Sequence, residues 1–176
     1  MIVTVLFTED LTVEQRSSIV EVCVAAHDNH AFANLFNHIK SGRHALAYRG
    51  GEIVSHAVVT TRWVQPEGLG VLRTAFVDAV ATLPAYQGLG YASAVMRRLA
   101  AESDDYVIGC LQTDSPAFYE RLGWEVWRGS LAGRSEHGLI PTPDQRGVMV
   151  LRLQQTPPLD LETQLTIECQ PDRIWE

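Results

Sequence analysis

Phe76-Val77-Asp78-Ala79-Val80-Ala81-Thr82-Leu83 runs directly into Pro84-Ala85-Tyr86-Gln87-Gly88-Leu89-Gly90-Tyr91-Ala92, and the chain that follows is rich in helix formers through Glu102. The first eight residues are apolar and β-prone, so they predict a strand. Two glycines at alternate positions predict a tight turn, and a helix is expected over Gly88 to Glu102. Met96, Leu99 and Ala100 then face inward, while Arg97, Arg98 and Glu102 face outward. A strand, a glycine turn and a helix start together form an anion cradle. The first backbone N–H groups of a helix have no partner within it, and that end carries about half a positive charge. Gly88 and Gly90 let the backbone come close to a bound pyrophosphate.

Several nucleotide folds use the same physics, and glycine spacing separates them. The position three after Gly90 is Ser93, so G-x-G-x-x-G is absent. No G-K-[ST] follows the turn either, which excludes the dinucleotide and triphosphate readings.

Working outward, Met1 to Phe7 predicts a first strand that runs straight into Thr8, Glu9 and Asp10; this is too short for a secretory leader. Thr12 is expected to cap a helix through Ala26, with Thr12 and Gln15 as a capping box and Val13, Ile19, Val20 and Val24 on its apolar side. A shorter helix is expected over Ala31 to Ile39. His44 to Arg49 and Glu52 to Trp63 flank Gly50-Gly51 and predict a hairpin. Tyr106 to Leu111 reads as a buried strand, and Ser115 to Leu122 as a short helix with a capping serine. Trp124 to Trp127 and Val148 to Leu153 are further strands, with a loop from Gly129 to Gly147 between them. Leu159 to Cys169 reads as a last strand. It is open to two uses, pairing with a second copy in a homodimer or folding back over its own acceptor pocket. Strands alternating with helices after a two-helix opening predict one mixed α/β domain spanning residues 1–176.

The 176 residues carry a net charge of −7 and are 46% hydrophobic. That charge argues against nucleic acid and favours a cationic small molecule, although solubility alone also produces a mildly acidic balance. No stretch approaches the roughly 18 apolar residues of a membrane span, so a cytoplasmic protein is expected. Cys23, Cys110 and Cys169 are isolated in apolar surroundings and read as reduced core residues. His27, His30, His38 and His44 lack metal-ligand spacing; no metal is expected, and structural or surface roles are assigned to them.

Gln87-Gly88-Leu89-Gly90-Tyr91-Ala92 resembles the acetyl-CoA motif Q/R-x-x-G-x-G/A of the GNAT N-acetyltransferases. Ser115-Pro116-Ala117-Phe118-Tyr119-Glu120-Arg121-Leu122-Gly123-Trp124 resembles their late helix, A-x-x-F-Y-x-x-x-G-F/W. The resemblance covers His44 to Trp127. It implies a mixed, mostly antiparallel central sheet flanked by helices and splayed between the fourth and fifth strands. It also implies acetyl-CoA as cofactor, held by Val80, Ala81 and Thr82 and by Gln87, Gly88, Leu89, Gly90, Tyr91 and Ala92. The amine would attack the thioester directly, with Asp78 as base and Tyr119 as acid; a solvated strand charge and aromatic packing are the competing readings of these two.

The region after Trp124, from Glu125 to Leu131, through Thr142-Pro143-Asp144 and Gly147 to Ile174-Trp175, resembles the aminoglycoside 2'-N-acetyltransferases within that superfamily. On this mapping Asp78, Ala79, Gln112, Asp144, Gln145 and Trp175 bind the acceptor, with the terminal Glu176 closing the pocket and Asp28 nearby. Asp78 stands where a glutamate is common, and Gln145 where an acid is expected. Fewer acids imply a less charged acceptor, for instance kasugamycin. Other small amines, a protein N-terminus, or an acyl-CoA-binding module without turnover are the alternatives.

Overall fold

A computed structural model describes residues 1–171 and 173–175. The chain divides into two compact units, Met1–Thr60 with Val77–Glu102, and Thr61–Phe76 with Ser103–Glu176. Two long strands, β3 (Glu52–Pro66) and β4 (Leu72–Thr82), contribute residues to both.

In the first unit β1 (Ile2–Phe7) pairs antiparallel with β2 (Arg43–Arg49), and β2 pairs antiparallel with β3. The turn between β2 and β3 places Gly50 and Gly51 at φ 59° and 89°, the left-handed pair that the right-handed twist of a hairpin requires. Helix α1 (Val13–His27) begins with the expected capping box, Thr12 accepting from the Gln15 amide while the Gln15 side chain accepts from the Thr12 amide. Its buried residues are Ile19, Val22 and Cys23. Val13, expected on the apolar face, is 79% exposed because it is the first helical residue and stands outside the packed turns.

The helix expected over Ala31 to Ile39 is instead a 3-10 segment, His30–Asn34, followed by one α turn, α2 (Leu35–His38). Asn29 caps the Ala31 amide, and Asn34 sits at φ −101° and ψ 16°, which interrupts regular winding. Helix α3 (Tyr91–Ala101) lies against β2 and β1 with Met96 and Leu99 buried and Arg97 and Arg98 exposed, as the periodicity predicts. One apolar core joins Ile19, Val22, Cys23 and Leu35 to Leu46, Val58, Ala79 and Ala81.

In the second unit, β5 (Ile108–Gln112) runs parallel to β4 at Thr74–Phe76, and the ladder ends at the Phe76–Cys110 pair. Helix α4 (Pro116–Glu120) and β6 (Glu125–Val126) follow. The Ser115 side chain makes no cap there; its backbone N–H donates instead to Thr113 Oγ1 at 3.0 Å. The stretch Gly129 to Gly147, expected as a loop, contains a hairpin of β7 (Leu131–Ser135) and β8 (Gly138–Pro141). All four β8 residues are exposed, and the strand carries Gly and Pro at its ends, so neither burial nor alternation marks it in the sequence. Ser135 closes the turn by donating to the Gly138 carbonyl and accepting from the His137 amide.

Strand β9 (Val148–Arg152) pairs antiparallel with β5 and β6. The last strand, β10, covers only Leu165–Glu168. Both its edges are taken, by β3 antiparallel and by β7 parallel, which corrects the reading of an exposed strand open to a second copy. The sheet is thus mixed and mostly antiparallel, as expected.

Arg62, on β3 with no exposed surface, ties β10 and the chain end together. Its Nε bonds Glu168 Oε1 at 2.6 Å, and its Nη2 reaches the carbonyls of Glu168 and Ile174. Cys23 and Cys110 are buried free thiols, whereas Cys169 is half-buried. Among the described residues no helix is long and apolar enough to cross a membrane.

Candidate active site

The first unit carries the anion cradle. After β4, Leu83 donates to the Val54 carbonyl, a 3-10 turn forms over Pro84–Tyr86, and Gly88 and Gly90 take φ 73° and 87°. Gly90 is the N-cap residue of α3 and has no side chain to offer its amides, and the first turn holds no acid. Helix N–H groups therefore point outward without an internal competitor. Gln87, Gly88, Leu89 and Gly90 are exposed. Tyr91 is not: it is 4% exposed, its ring packs edge-on against Tyr86 and its hydroxyl bonds Arg49, so only its backbone can face an anion.

The three strand residues assigned to the cofactor already have their carbonyls engaged. Val80 accepts from His27 Nε2 at 3.1 Å, Ala81 from Ser55 Oγ at 2.9 Å, and Thr82 from Gln87 Nε2 at 3.1 Å. Ser55 spends its one proton on Ala81, so the 2.8 Å contact with Thr82 Oγ1 has the threonine as donor. Gln87, chosen from the motif, thus also fastens the turn to the strand.

Asp78 is half-buried on β4, and its Oδ1 accepts from the Ala79 amide at 2.7 Å. Ala79 sits at φ 48° within an otherwise extended strand, a conformation that costs a non-glycine residue about 1–2 kcal/mol. Asp28, at φ 48°, is the exposed left-handed C-cap of α1 and directly follows His27, so it stands at the helix end that touches β4.

Behind Ala79 lies an arrangement that motif reading missed. His56 Nδ1 is 3.0 Å from the Ala79 carbonyl, His56 Nε2 is 2.9 Å from His44 Nδ1, and His44 Nε2 is 2.9 Å from Thr8 Oγ1. Both rings have no exposed surface. Burial pushes the His44 imidazole down to about 3, helped by His56 and Arg16, and pushes His56 down to about 4 against the hydrogen bond to Ala79. Both are neutral at pH 7. The unfolded chain takes up protons near 6.5 that the folded one refuses, so this stability is present above about pH 6.5 and is lost as pH falls toward 4. Unfolding free energies from urea titrations should drop between pH 7 and 5.5, above the carboxylate range, by roughly 1.3 kcal/mol for each ring; an unchanged value across that interval would contradict the neutral pair.

The second unit carries Tyr119, 9% exposed, edge-on to Phe118 at 4.8 Å and to Trp124 at 6.3 Å. Burial pushes its phenol up to about 12, opposed by a hydrogen bond to the Thr113 side chain. Gln112 and Gln145 both donate to the Arg146 carbonyl, at 3.3 and 3.1 Å. Trp175 is 1% exposed, and its indole N–H lies 3.2 Å from Thr142 Oγ1. Beside it opens a cavity of about 600 Å³ lined by Thr142, Gln145, Cys169, Arg173, Ile174 and Trp175 among others. Asp144 is exposed and does not line it; Glu176 lies outside the described residues.

The acetyltransferase (GNAT) domain family matches residues 10–127. An aminoglycoside 2'-N-acetyltransferase of Mycolicibacterium fortuitum is 28% identical over 92% of this chain and 85% of its own length. Among solved structures, the E. coli GNAT protein YhbS in complex with CoA superposes at a TM-score of 0.65 with 16% identity, over 96% of this chain and 89% of that one. Eis1 of Mycobacterium abscessus superposes at 0.61 with 20% identity over 74% of this chain, which spans only 33% of that protein. The chain belongs to the acetyltransferase (GNAT) family of acyltransferases that use acetyl-CoA.

Proposed function

We propose that this protein is a single-domain, cytoplasmic N-acetyltransferase that moves the acetyl group of acetyl-CoA to the 2'-amine of an aminoglycoside, with kasugamycin as acceptor. The observation that carries the cofactor half is the uncapped, acid-free start of α3 behind Gly88 and Gly90, directly after β4. Pyrophosphate sits on the α3 amides. Pantetheine lies along Val80, Ala81 and Thr82, and the Val80 N–H stabilises the oxyanion that forms on the thioester carbonyl oxygen.

The amine nitrogen attacks that carbon, the C–S bond breaks from the tetrahedral intermediate, and coenzyme A leaves as thiolate. Asp78 accepts the proton lost by the nitrogen, and the Tyr119 hydroxyl donates a hydrogen bond to the departing thiolate, which takes its proton from water. Supporting an aminoglycoside is the likeness to the 2'-N-acetyltransferase. Supporting one of low charge is the lining of the cavity beside Trp175, whose charged member among the described residues is the cation Arg173 and whose polar members include Thr142 and the amides of Gln145 and Gln170. A polycationic ligand gains little from such walls.

Purified protein, acetyl-CoA and a thiol reagent, mixed with kasugamycin, deoxystreptamine antibiotics, polyamines, amino acids and N-terminal peptides, test the reading. Thiol release with kasugamycin and a product acetylated at the 2'-amine is the expected result. Release with none of the antibiotics sinks the aminoglycoside assignment; acetyl-CoA binding with no amine consumed points to a binding module.

A further inference from the structure

Thr8, His44 and His56 form a one-way hydrogen-bond chain, and its direction follows from chemistry. The Ala79 carbonyl can only accept, so His56 Nδ1 carries the proton. A neutral ring then presents Nε2 as an acceptor, which requires His44 Nδ1 to donate across the 2.9 Å contact. His44 Nε2 is left as an acceptor and receives the Thr8 hydroxyl proton at 2.9 Å. The alternative use of that hydroxyl, toward the Gly42 carbonyl, is longer at 3.3 Å. The Thr8 backbone is itself fixed, its N–H on Gly42 and its carbonyl held by Arg16. Phe36 and Cys23 close the sides, the ring 5.7 Å from His44 and the sulfur 3.7 Å from His56 Nδ1.

What the chain holds is a strained residue. Ala79 is left-handed at φ 48°, and both its backbone groups are engaged, the N–H by Asp78 Oδ1 and the carbonyl by His56. The peptides on either side of that kink belong to Asp78 and Val80. We infer that His56, backed by His44 and Thr8, is a positioning residue: it locks the Ala79 kink and thereby sets the Asp78 carboxylate and the Val80 amide for acetyl transfer. This rests on the roles proposed above for Asp78 and Val80. His56 touches no substrate.

Two variants separate positioning from packing. His56→Leu removes the donor to Ala79, whereas His56→Asn places an amide N–H near the Nδ1 position and keeps it. Both lose the link to His44 and should lower Tm. Under positioning, kcat falls about thirtyfold in His56→Leu with KM for acetyl-CoA within about threefold, and His56→Asn recovers to within about fivefold of wild type; a displacement near 1 Å has effects on this scale. If His56→Leu keeps kcat within threefold, or His56→Asn falls as far as His56→Leu, the inference is wrong.

A readout independent of turnover covers the remaining outcomes. Long-range 15N–1H spectra of the wild type should show both rings as Nδ1–H tautomers, and the amide signals from Asp78 to Val80 should move in His56→Leu but not in His56→Asn. An Nε2–H tautomer on either ring, or unmoved amides, overturns the inference. If the wild type acetylates no amine, the proposed function fails on its own, and these spectra still decide whether His56 holds the kink. If His56→Leu does not fold, the wild-type tautomers and the His56→Asn kinetics decide it.

Discussion

Replacing Gly147 with alanine is expected to cost more than about 4 kcal/mol, enough to unfold the second unit or leave it barely folded. Gly147 has φ 71°, and a Cβ built there lies 1.8 Å from the Thr113 carbonyl oxygen and 2.9 Å from its carbon. The obstacle is backbone, so no side-chain rotation relieves it. Nor can the two segments simply part, because the Thr113 amide donates to the Gly147 carbonyl at 2.9 Å, and Thr113 also accepts from Ser115 and bonds Tyr119. Relief would have to pull Thr113 away and take the Tyr119 contact with it. Gly138 is the control, since its φ is 117° but a Cβ would meet nothing within 4 Å. Gly138→Ala should therefore show backbone strain alone, about 1–3 kcal/mol. Urea midpoints for the two variants check this. Equal losses would mean that φ, not the Thr113 contact, sets the requirement at Gly147.

The cradle was legible because its determinants are local. Strand pattern, two glycines and an acid-free helix start all lie within about 25 consecutive residues, and each has one dominant physical reason. The capping box at Thr12 and the Gly50-Gly51 hairpin were legible on the same ground. What escaped is non-local. His44 and His56 lie on neighbouring strands, and Thr8 is 36 residues from its partner His44. Alternation along β2 and β3 marks no polar residue as buried, because these strands are buried on both faces. The left-handed Ala79 carries no sequence mark either. Alanine is not a turn residue, and its φ is imposed by Asp78 on one side and His56 on the other. Strand β8 escaped for the opposite reason: all its residues are exposed, so pairing with β7 is what defines it. On the acceptor side, Gln145 and Trp175 share one cavity while Asp144 stands outside it; contiguity in sequence gave no way to separate neighbours 144 and 145.

Asp78→Asn should lower kcat by about 10²- to 10³-fold, the scale of a lost general base, while acetyl-CoA affinity stays within about threefold. The substitution keeps the side-chain shape, and the amide oxygen can still accept from the Ala79 N–H at the site where Oδ1 now sits, 2.7 Å away. The kink is preserved and only the proton acceptor is removed. Tyr119→Phe should do less, about tenfold. A phenol pushed up to about 12 holds its proton well above a thiolate whose conjugate acid lies near 8.5, so full transfer from oxygen to sulfur is uphill and Tyr119 acts mainly as a hydrogen-bond donor to the leaving group. Tyr119→Phe should leave the limbs of the kcat profile below pH 9 where they are, since a group near 12 does not titrate there. Kinetics from pH 5 to 9 with acetyl-CoA saturating check both. Wild-type turnover in Asp78→Asn would take the base away from β4, and a Tyr119→Phe loss as large as that of Asp78→Asn would mean that proton delivery to sulfur, not removal from nitrogen, limits the reaction.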